Sequence, residues 1–353
     1  MDTKLFMEML AIDSTSSKEK ALSSFLAERL ITAGCSLERL EVGDGTENLL
    51  FSWGQPEIVF CTHLDTVPPY IAPSTQKVND GDVRYSGRGT CDAKGHIFAM
   101  YTACKTLHEQ GKSNFGLLLL AGEETGSFGA KAFRNTHSGG KYVIVGEPTD
   151  NSMASAAKGT KSFEITFSGV PFHSGYPQYG ESAILYFNDF VNALRGFSFP
   201  EDDMLGQTTW NIGKLVSDNP QNILSEKLSC RLYFRTTFAS DNCVSDLMAN
   251  ICGENAKYKF GGSNNDEVAL WQKRMSVKAF GGDSPTKFMT LEGFPVKAVS
   301  FGSDAPQLTN FENKILCGAG SILVAHRNDE HIMLSDIEQA VKNYIKMYDI
   351  LND

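Results

Sequence analysis

The chain has no CxxC pair among its eight cysteines, which are scattered at 35, 61, 91, 104, 230, 243, 252 and 317. That argues against a structural zinc ribbon. Most lie in apolar surroundings and read as reduced core thiols, which fits a reducing compartment. Cys61 and Cys91, each beside a motif residue, read as packing. No run approaches ~18 uninterrupted apolar residues, so nothing reads as a membrane span. Met1-Asp2-Thr3-Lys4 leads into an amphipathic stretch without a small-residue cleavage site, so no signal peptide is expected and the cytoplasm is the default location. A basic block is also missing. The net charge is −10, which argues against nucleic acid as a main partner, since phosphate binding needs a basic surface. No GxSxG elbow appears, which counts against a serine hydrolase. No GxxxxGK[ST] loop appears, which counts against a nucleotide enzyme. There is no internal repeat and no low-complexity tract.

What is present is ordinary globular composition, 41% hydrophobic and 21% charged over 353 residues. That is enough chain for a large core and for two domains. The organising stretch is Phe60 to Pro69. An apolar run, Ile58-Val59-Phe60, leads into His63 and Asp65, and two prolines close it. Buried strands of α/β proteins read like that run. Residues two apart on a strand share a face, so His63 and Asp65 can touch. The same order recurs along the chain. A glycine-rich turn, Gly87 to Gly95, carries Asp92 into a helix ending near Glu109. A buried strand from Gly116 to Ala121 ends in Gly122-Glu123-Glu124. Another, Tyr142 to Val145, ends in Gly146-Glu147-Pro148-Thr149. Each motif sits just past the C-terminal end of a strand, where open α/β sheets place their sites. Ser16-x-x-Glu19 reads as a capping box before a helix.

From about Lys158 the rhythm changes. Phe163, Ile165 and Phe167 alternate with polar residues, as in a half-exposed strand. A helix over 181–194, strands over 208–216 and 227–237, a helix over 241–252 and a short strand over 257–260 follow. This β-α-β-β-α-β order predicts a ferredoxin-like α+β insert. The first domain then resumes with a strand over 295–301 and a last helix over 335–351. The expected division is 1–157 with 263–353 against 158–262.

The polar groups at the strand ends are His63, Asp65, Asp92, Glu123, Glu124 and Glu147, joined later by His326. This is a nitrogen and oxygen donor set without sulfur, suited to Zn²⁺ and also to Co²⁺ or Mn²⁺. It exceeds what one tetrahedral ion needs and suffices for two ions sharing a carboxylate and a water. Adjacent residues at a strand end point different ways. One of Glu123 and Glu124 can therefore ligate while the other takes a proton from water. Each motif alone has an ordinary reading, such as Asp92 as a helix N-cap. Their joint occurrence at strand ends, in α/β order, is what points to a site.

The stretches THLDTVP, GRGTCDAKGH, GEETGSFGA, VGEPT, SGVPFHSGYPQYGESAI and AHRNDEHI resemble the dinuclear zinc metallopeptidase and deacylase family, which includes acetylornithine deacetylase, succinyl-diaminopimelate desuccinylase, aminoacylase and several di- and carboxypeptidases. The resemblance runs from residue 62 to 332. It implies an α/β fold with a mixed-sheet, zinc-exopeptidase-like catalytic domain and an inserted lid that also forms a homodimer. It implies that His63 and Glu147 ligate one ion, Glu124 and His326 the other, and that Asp92 bridges them. Asp65 stands behind His63, Glu123 is the general base, and His331 is not a ligand. His173 matches a histidine lent across a dimer to the oxyanion. Arg235, Asn222, Lys158 and Ser303 are the substrate-side candidates. The implied reaction is amide hydrolysis, and an N-acyl amino acid of the acetylornithine type is the expected substrate. The alternatives are a small-peptide di-, tri- or carboxypeptidase and a desuccinylase, although Lys158 stands where desuccinylases tend to have arginine. A non-catalytic relative should have lost Glu123 or a ligand, and this chain keeps them all.

Overall fold

The computed structural model describes residues 1–43, 45–78, 81–262 and 266–352. The chain divides into two compact units. The first comprises Met1–Ser155, Lys287–Lys297 and Ser303–Asp353. Its centre is a six-stranded mixed sheet in the order Ser36–Gly43, Thr46–Trp53, Phe115–Leu120, Ile58–His63, Tyr142–Val145, Asn313–Leu316. The last four strands are mutually parallel, and the first two are antiparallel additions. Strands Ile58–His63 and Phe115–Leu120 are buried at every residue. That is why they read as continuous apolar runs rather than as alternation. Their register sets His63 opposite Leu120, so both polar motifs emerge at one edge.

The helices Lys94–Glu109 and Leu334–Asn352 carry apolar faces into the same core as this sheet. Phe60 meets Tyr344 edge-on at 5.7 Å between ring centroids, and Phe115 meets Tyr348 at 5.6 Å. The Tyr344 hydroxyl donates to the Cys317 carbonyl at 3.0 Å, so its polar end is satisfied inside the core. A small antiparallel sheet of Ser74–Lys77, Val83–Ser86 and His331–Met333 also belongs to this unit.

The second unit comprises Ala156–Thr286 and Ala298–Gly302. Its antiparallel sheet has the order Thr209–Val216, Lys227–Thr236, Gly159–Ser168, Met275–Gly281. Phe163, Ile165 and Phe167 pack one face against Phe190 and Leu194 of helix Ala183–Gly196 and against Val244 and Leu247 of helix Asp241–Asn250. The β-α-β-β-α-β order is therefore present.

Two sequence expectations change. The fourth strand is Met275–Gly281, not 257–260. The side-chain amide of Gln272 occupies the backbone of the expected strand. Its oxygen accepts from Phe260 N at 3.1 Å, and its nitrogen donates to Tyr258 O at 2.6 Å. Those groups are then unavailable to a ladder. Because Met275–Gly281 pairs with Gly159–Ser168, the second unit runs on to Thr286. The return expected at 263 falls on Ser263, outside the described residues. The strand expected over 295–301 is confined to Val296–Val299. Among the described residues no helix is long and apolar enough to cross a membrane.

Candidate metal centre

All the strand-end motif residues lie in the first unit. His63 ends its strand and is 1% exposed. Next to it, Thr62 Oγ1 donates to Gly146 O at 3.0 Å, and Gly146 N donates to Cys61 O at 2.8 Å. These bonds lock the backbone of Glu147 beside that of His63. The His63 Nδ1 faces the Asp65 backbone carbonyl at 2.8 Å, with the Asp65 carboxylate farther away at 3.5 Å. The ring is thereby oriented with Nε2 toward Asp92, the arrangement of a ligating histidine with a fixed tautomer.

The Asp65 carboxylate, besides lying behind His63, has a second task. It accepts from Glu123 N at 2.9 Å, from Glu124 N at 3.1 Å and from the Ser16 hydroxyl at 3.0 Å. It fixes the turn that presents both glutamates. Ser16 thus serves Asp65 rather than capping a helix. The helix begins at Lys20, and Glu19 makes no side-chain cap there. Asn48 holds the other side of the same turn, accepting from Ala121 N at 3.0 Å and donating to Gly129 O at 2.9 Å. Gly122 has φ +68°, and a Cβ there would lie 1.6 Å from the Phe128 ring. Only glycine fits that corner.

The Asp92 carboxylate is shared. Its Oδ1 is 2.9 Å from His63 Nε2, and its Oδ2 is 3.2 Å from His326 Nε2. His326 Nε2 is also 2.9 Å from Glu124 Oε1. His63, Asp92 and Glu124 offer donor atoms within 4.8 Å of one another. This trio mixes residues that the resemblance assigned to two different ions. Glu147 stands outside it, buried, with Oε1 lacking any hydrogen-bond partner.

Electrostatics say the same. Burial raises the Glu147 carboxyl well above the usual range, and the charges of Asp92 and Glu123 add to the effect. Burial also raises Glu123, with His63 opposing and Asp304, Glu124 and Asp92 reinforcing. Burial would push the His63 imidazolium down, yet hydrogen bonds to Asp65 and Asp92 hold it well above its ordinary value. Hydrogen bonds to Asp92 and then Glu124 lift His326 to about 10. Protons on two histidines balance part of a carboxylate excess. A buried carboxylate oxygen with no donor and two imidazoles aimed at shared carboxylates fit a divalent cation. His63, Asp92, Glu124, Glu147 and His326 are the groups that would hold it.

A ligating imidazole must be neutral. Metal uptake at pH 7 is therefore expected to release protons, and affinity should rise with pH. Titration calorimetry in two buffers of different ionisation enthalpy measures this; equal heats in both would refute it. In metal-free protein the raised His326 pKa contributes stability that is fully present below ~6.5. That contribution is lost as pH climbs through about 10.

The remaining candidates fall into other groups. Lys158, His173, Asn222 and Arg235 lie in the second unit. Lys158 Nζ donates to Gln207 O at 2.5 Å, and burial, with Arg235 nearby, lowers its pKa. The Arg235 guanidinium lies 5.1 Å from the Tyr233 ring centroid. His173 is exposed, accepts from Gly175 N at 3.0 Å and forms an isolated bridge with Ile223, while Ser174 N donates to Asn222 O at 2.9 Å. The segment bearing His173 thus runs beside the one bearing Asn222. Ser303 is buried in the first unit and accepts from Ala305 N at 3.3 Å.

Sequence reasoning assigned no role to Glu330. It is 1% exposed, and its Oε1 accepts from Cys91 N at 3.0 Å and Asp92 N at 3.2 Å. Its Oε2 receives Arg88 at 2.6 Å. Asp304, within a loop noted only for Ser303, is a second omission; its charge reaches both Glu123 and Glu147. An acidic residue inside a glycine-bearing polar loop carries no periodic signal that would single it out.

A histidine and carboxylate cluster at the C-terminal edge of a parallel sheet, built to take a divalent ion, defines a metallohydrolase of the α/β class. Residues 59–349 match the family described as Peptidase family M20/M25/M40, and the chain belongs to that family. It is an enzyme of the metallopeptidase type acting on amide bonds. A probable carboxypeptidase of Emericella nidulans is 31% identical, over 97% of this chain and 88% of that protein. One from Aspergillus oryzae is also 31% identical, over 96% and 85%. Among solved structures, a tripeptidase of Staphylococcus aureus superposes with a TM-score of 0.79 at 18% identity, covering 99% and 97% of the two chains. An M20 family metallo-carboxypeptidase of Sulfolobus solfataricus gives 0.71 at 16% identity, covering 98% of each. These structural likenesses bear on the fold, which they share across both units.

Proposed function

We propose that the chain is a peptidase releasing amino acids from short peptides, acting as a carboxypeptidase. The observation that carries this reading is 31% identity to a probable carboxypeptidase over nearly the full length of both chains. It favours the peptidase alternative over the acetylornithine-type deacetylase expected from the motifs. Arg235 offers the planar fork that suits a terminal carboxylate.

The donor set is assigned to two ions, zinc in the first instance. His63 and Glu147 would hold one, Glu124 and His326 the other, with Asp92 available to both. Bound there, such ions would acidify water and polarise a carbonyl. The protein's own groups do the rest. Glu123 takes the proton of the attacking water and delivers it to the departing amine nitrogen. Asp65 holds Glu123 and Glu124 at their backbone amides. His173 supplies a hydrogen bond to the oxyanion, and Arg235, Lys158, Asn222 and Ser303 orient the substrate.

A homodimer through the second unit is part of the proposal. Strand Thr209–Val216 ends its sheet, and Leu215 and Val216 are 51% and 57% exposed. An open apolar edge of this kind is a template for pairing. Light scattering should return twice the chain mass, and a strictly monomeric protein would discard the dimer.

The substrate test is a panel of dipeptides, tripeptides, carboxyl-blocked tripeptides and N-acetyl amino acids with Zn²⁺ or Co²⁺ added. Free-carboxyl peptides should turn over fastest, with the C-terminal residue released. Preference for carboxyl-blocked peptides would refute carboxypeptidase action. Preference for N-acetyl amino acids would return the deacetylase.

A further inference from the structure

We propose that Arg88 and Glu330 form a positioning pair that sets the second metal position by holding Asp92 and His326 in register. This rests on the two-ion reading above. Neither residue is assigned to metal or substrate. Both are 1% exposed, and they meet at 2.6 Å.

Glu330 holds one side. Its Oε1 accepts the amides of Cys91 and Asp92, so the carboxylate grips the backbone of the shared ligand. Its own carbonyl accepts from Gly87 N at 3.0 Å, which closes the glycine-rich turn around it. Arg88 holds the other side. Its guanidinium donates to the carbonyl of Arg327 at 3.2 Å, immediately after His326, and Nε donates to Pro69 O at 3.2 Å.

The need for a grip is visible at His326, which has φ +62°. A side chain other than glycine enters that left-handed region at a cost, and it persists where surrounding contacts over-determine it. Nothing in the His326 side chain's own contacts fixes its backbone; the carbonyl that follows it is held by Arg88. The same twist aims Nε2 at Glu124 and Asp92. One buried ion pair thus joins the turn bearing Asp92 to the loop bearing His326. Both halves of the pair are needed. A lysine at 88 would keep the charge but not the fork that reaches three acceptors.

The pair acts on the shared Asp92 but otherwise only on the His326 loop, and makes no contact with His63 or Glu147 side chains, so its loss should fall more heavily on the second ion. Outer partners of metal ligands typically change affinity by about 10–100-fold. The experiment titrates Zn²⁺ into metal-free parent, Glu330→Gln and Arg88→Lys protein by competition with a chelating dye. Thermal melting of each metal-free sample is recorded alongside. The second ion should weaken by about 10–100-fold in both variants, and the first by clearly less. Ile337→Val, a core change elsewhere in the unit, serves as a control of lowered stability with both affinities intact. If Glu330→Gln does not fold, Arg88→Lys carries the comparison. A parent that binds two ions, with folded variants that bind both as tightly, overturns the pair's role alone. Equal weakening of both ions overturns it too, by making the pair a general stabiliser. A parent that binds one ion only overturns the two-ion reading and this inference together.

Discussion

Glu123→Gln is expected to lower kcat by about 10²–10⁴-fold while leaving metal content unchanged. An amide fills the same space but cannot carry a proton from water to the leaving amine. The backbone of the turn survives, because Asp65 grips Glu123 and Glu124 through their amides, not their side chains. The carboxyl sits in surroundings that shift its protonation in the metal-free protein. Burial raises it well above the ordinary range, with His63 opposing and Asp304, Glu124 and Asp92 adding. Steady-state kinetics with elemental analysis of the same sample check the expected loss. Parent-level turnover in the variant would take the base role from Glu123.

Asp92→Ala is expected to act through the opposite quantity, emptying the centre of metal and bringing activity to background. One carboxylate serves both histidines, at 2.9 Å to His63 and 3.2 Å to His326. Burial opposes its ionisation, yet hydrogen bonds from His326 and His63 hold the carboxyl far below the usual range. Without it the two imidazoles have no common anion, and the remaining donors no longer converge. Thermal melting gives a clean readout. An ion present at 100 times its Kd stabilises a folded protein by about 2.7 kcal/mol. The parent should therefore melt higher with Zn²⁺, and Asp92→Ala should show little shift. A variant that copurifies with the parent's metal content would refute the shared-ligand role.

The two variants separate chemistry from assembly, and the sequence was legible for each in different measure. His63, Glu123 and Glu147 could be found because continuous apolar runs such as Ile58-Val59-Phe60 end abruptly in polar residues. Burial on both faces of a parallel strand writes that pattern directly. The supports could not be found that way. Ser16 looked like a helix cap, and only its approach to Asp65, 49 residues away, gives it a purpose. Glu330 reaches the Asp92 turn across more than 200 residues of chain. The strand expected over 257–260 shows the same limit. Gln272, a single polar side chain, diverts its backbone. Long-range polar contacts have no period, so periodicity cannot announce them.

The first unit is discontinuous, and that has a consequence for how the protein comes into being. Synthesis delivers His63, Asp92, Glu124 and Glu147 early, and His326 only near the end. The edge strand Asn313–Leu316 and the helix Leu334–Asn352 also arrive late, after the whole of Ala156–Thr286 has emerged. The second unit's sheet, Gly159–Ser168 through Met275–Gly281, is by contrast one uninterrupted stretch. At about 5–20 residues per second, the nascent chain spends about 10–30 s with an open sheet edge beside Tyr142–Val145 and an uncovered apolar face. Through that interval it exposes apolar surface of the kind that drives aggregation, and the His326 side of the metal centre can form only after Asn313–Leu316 has emerged.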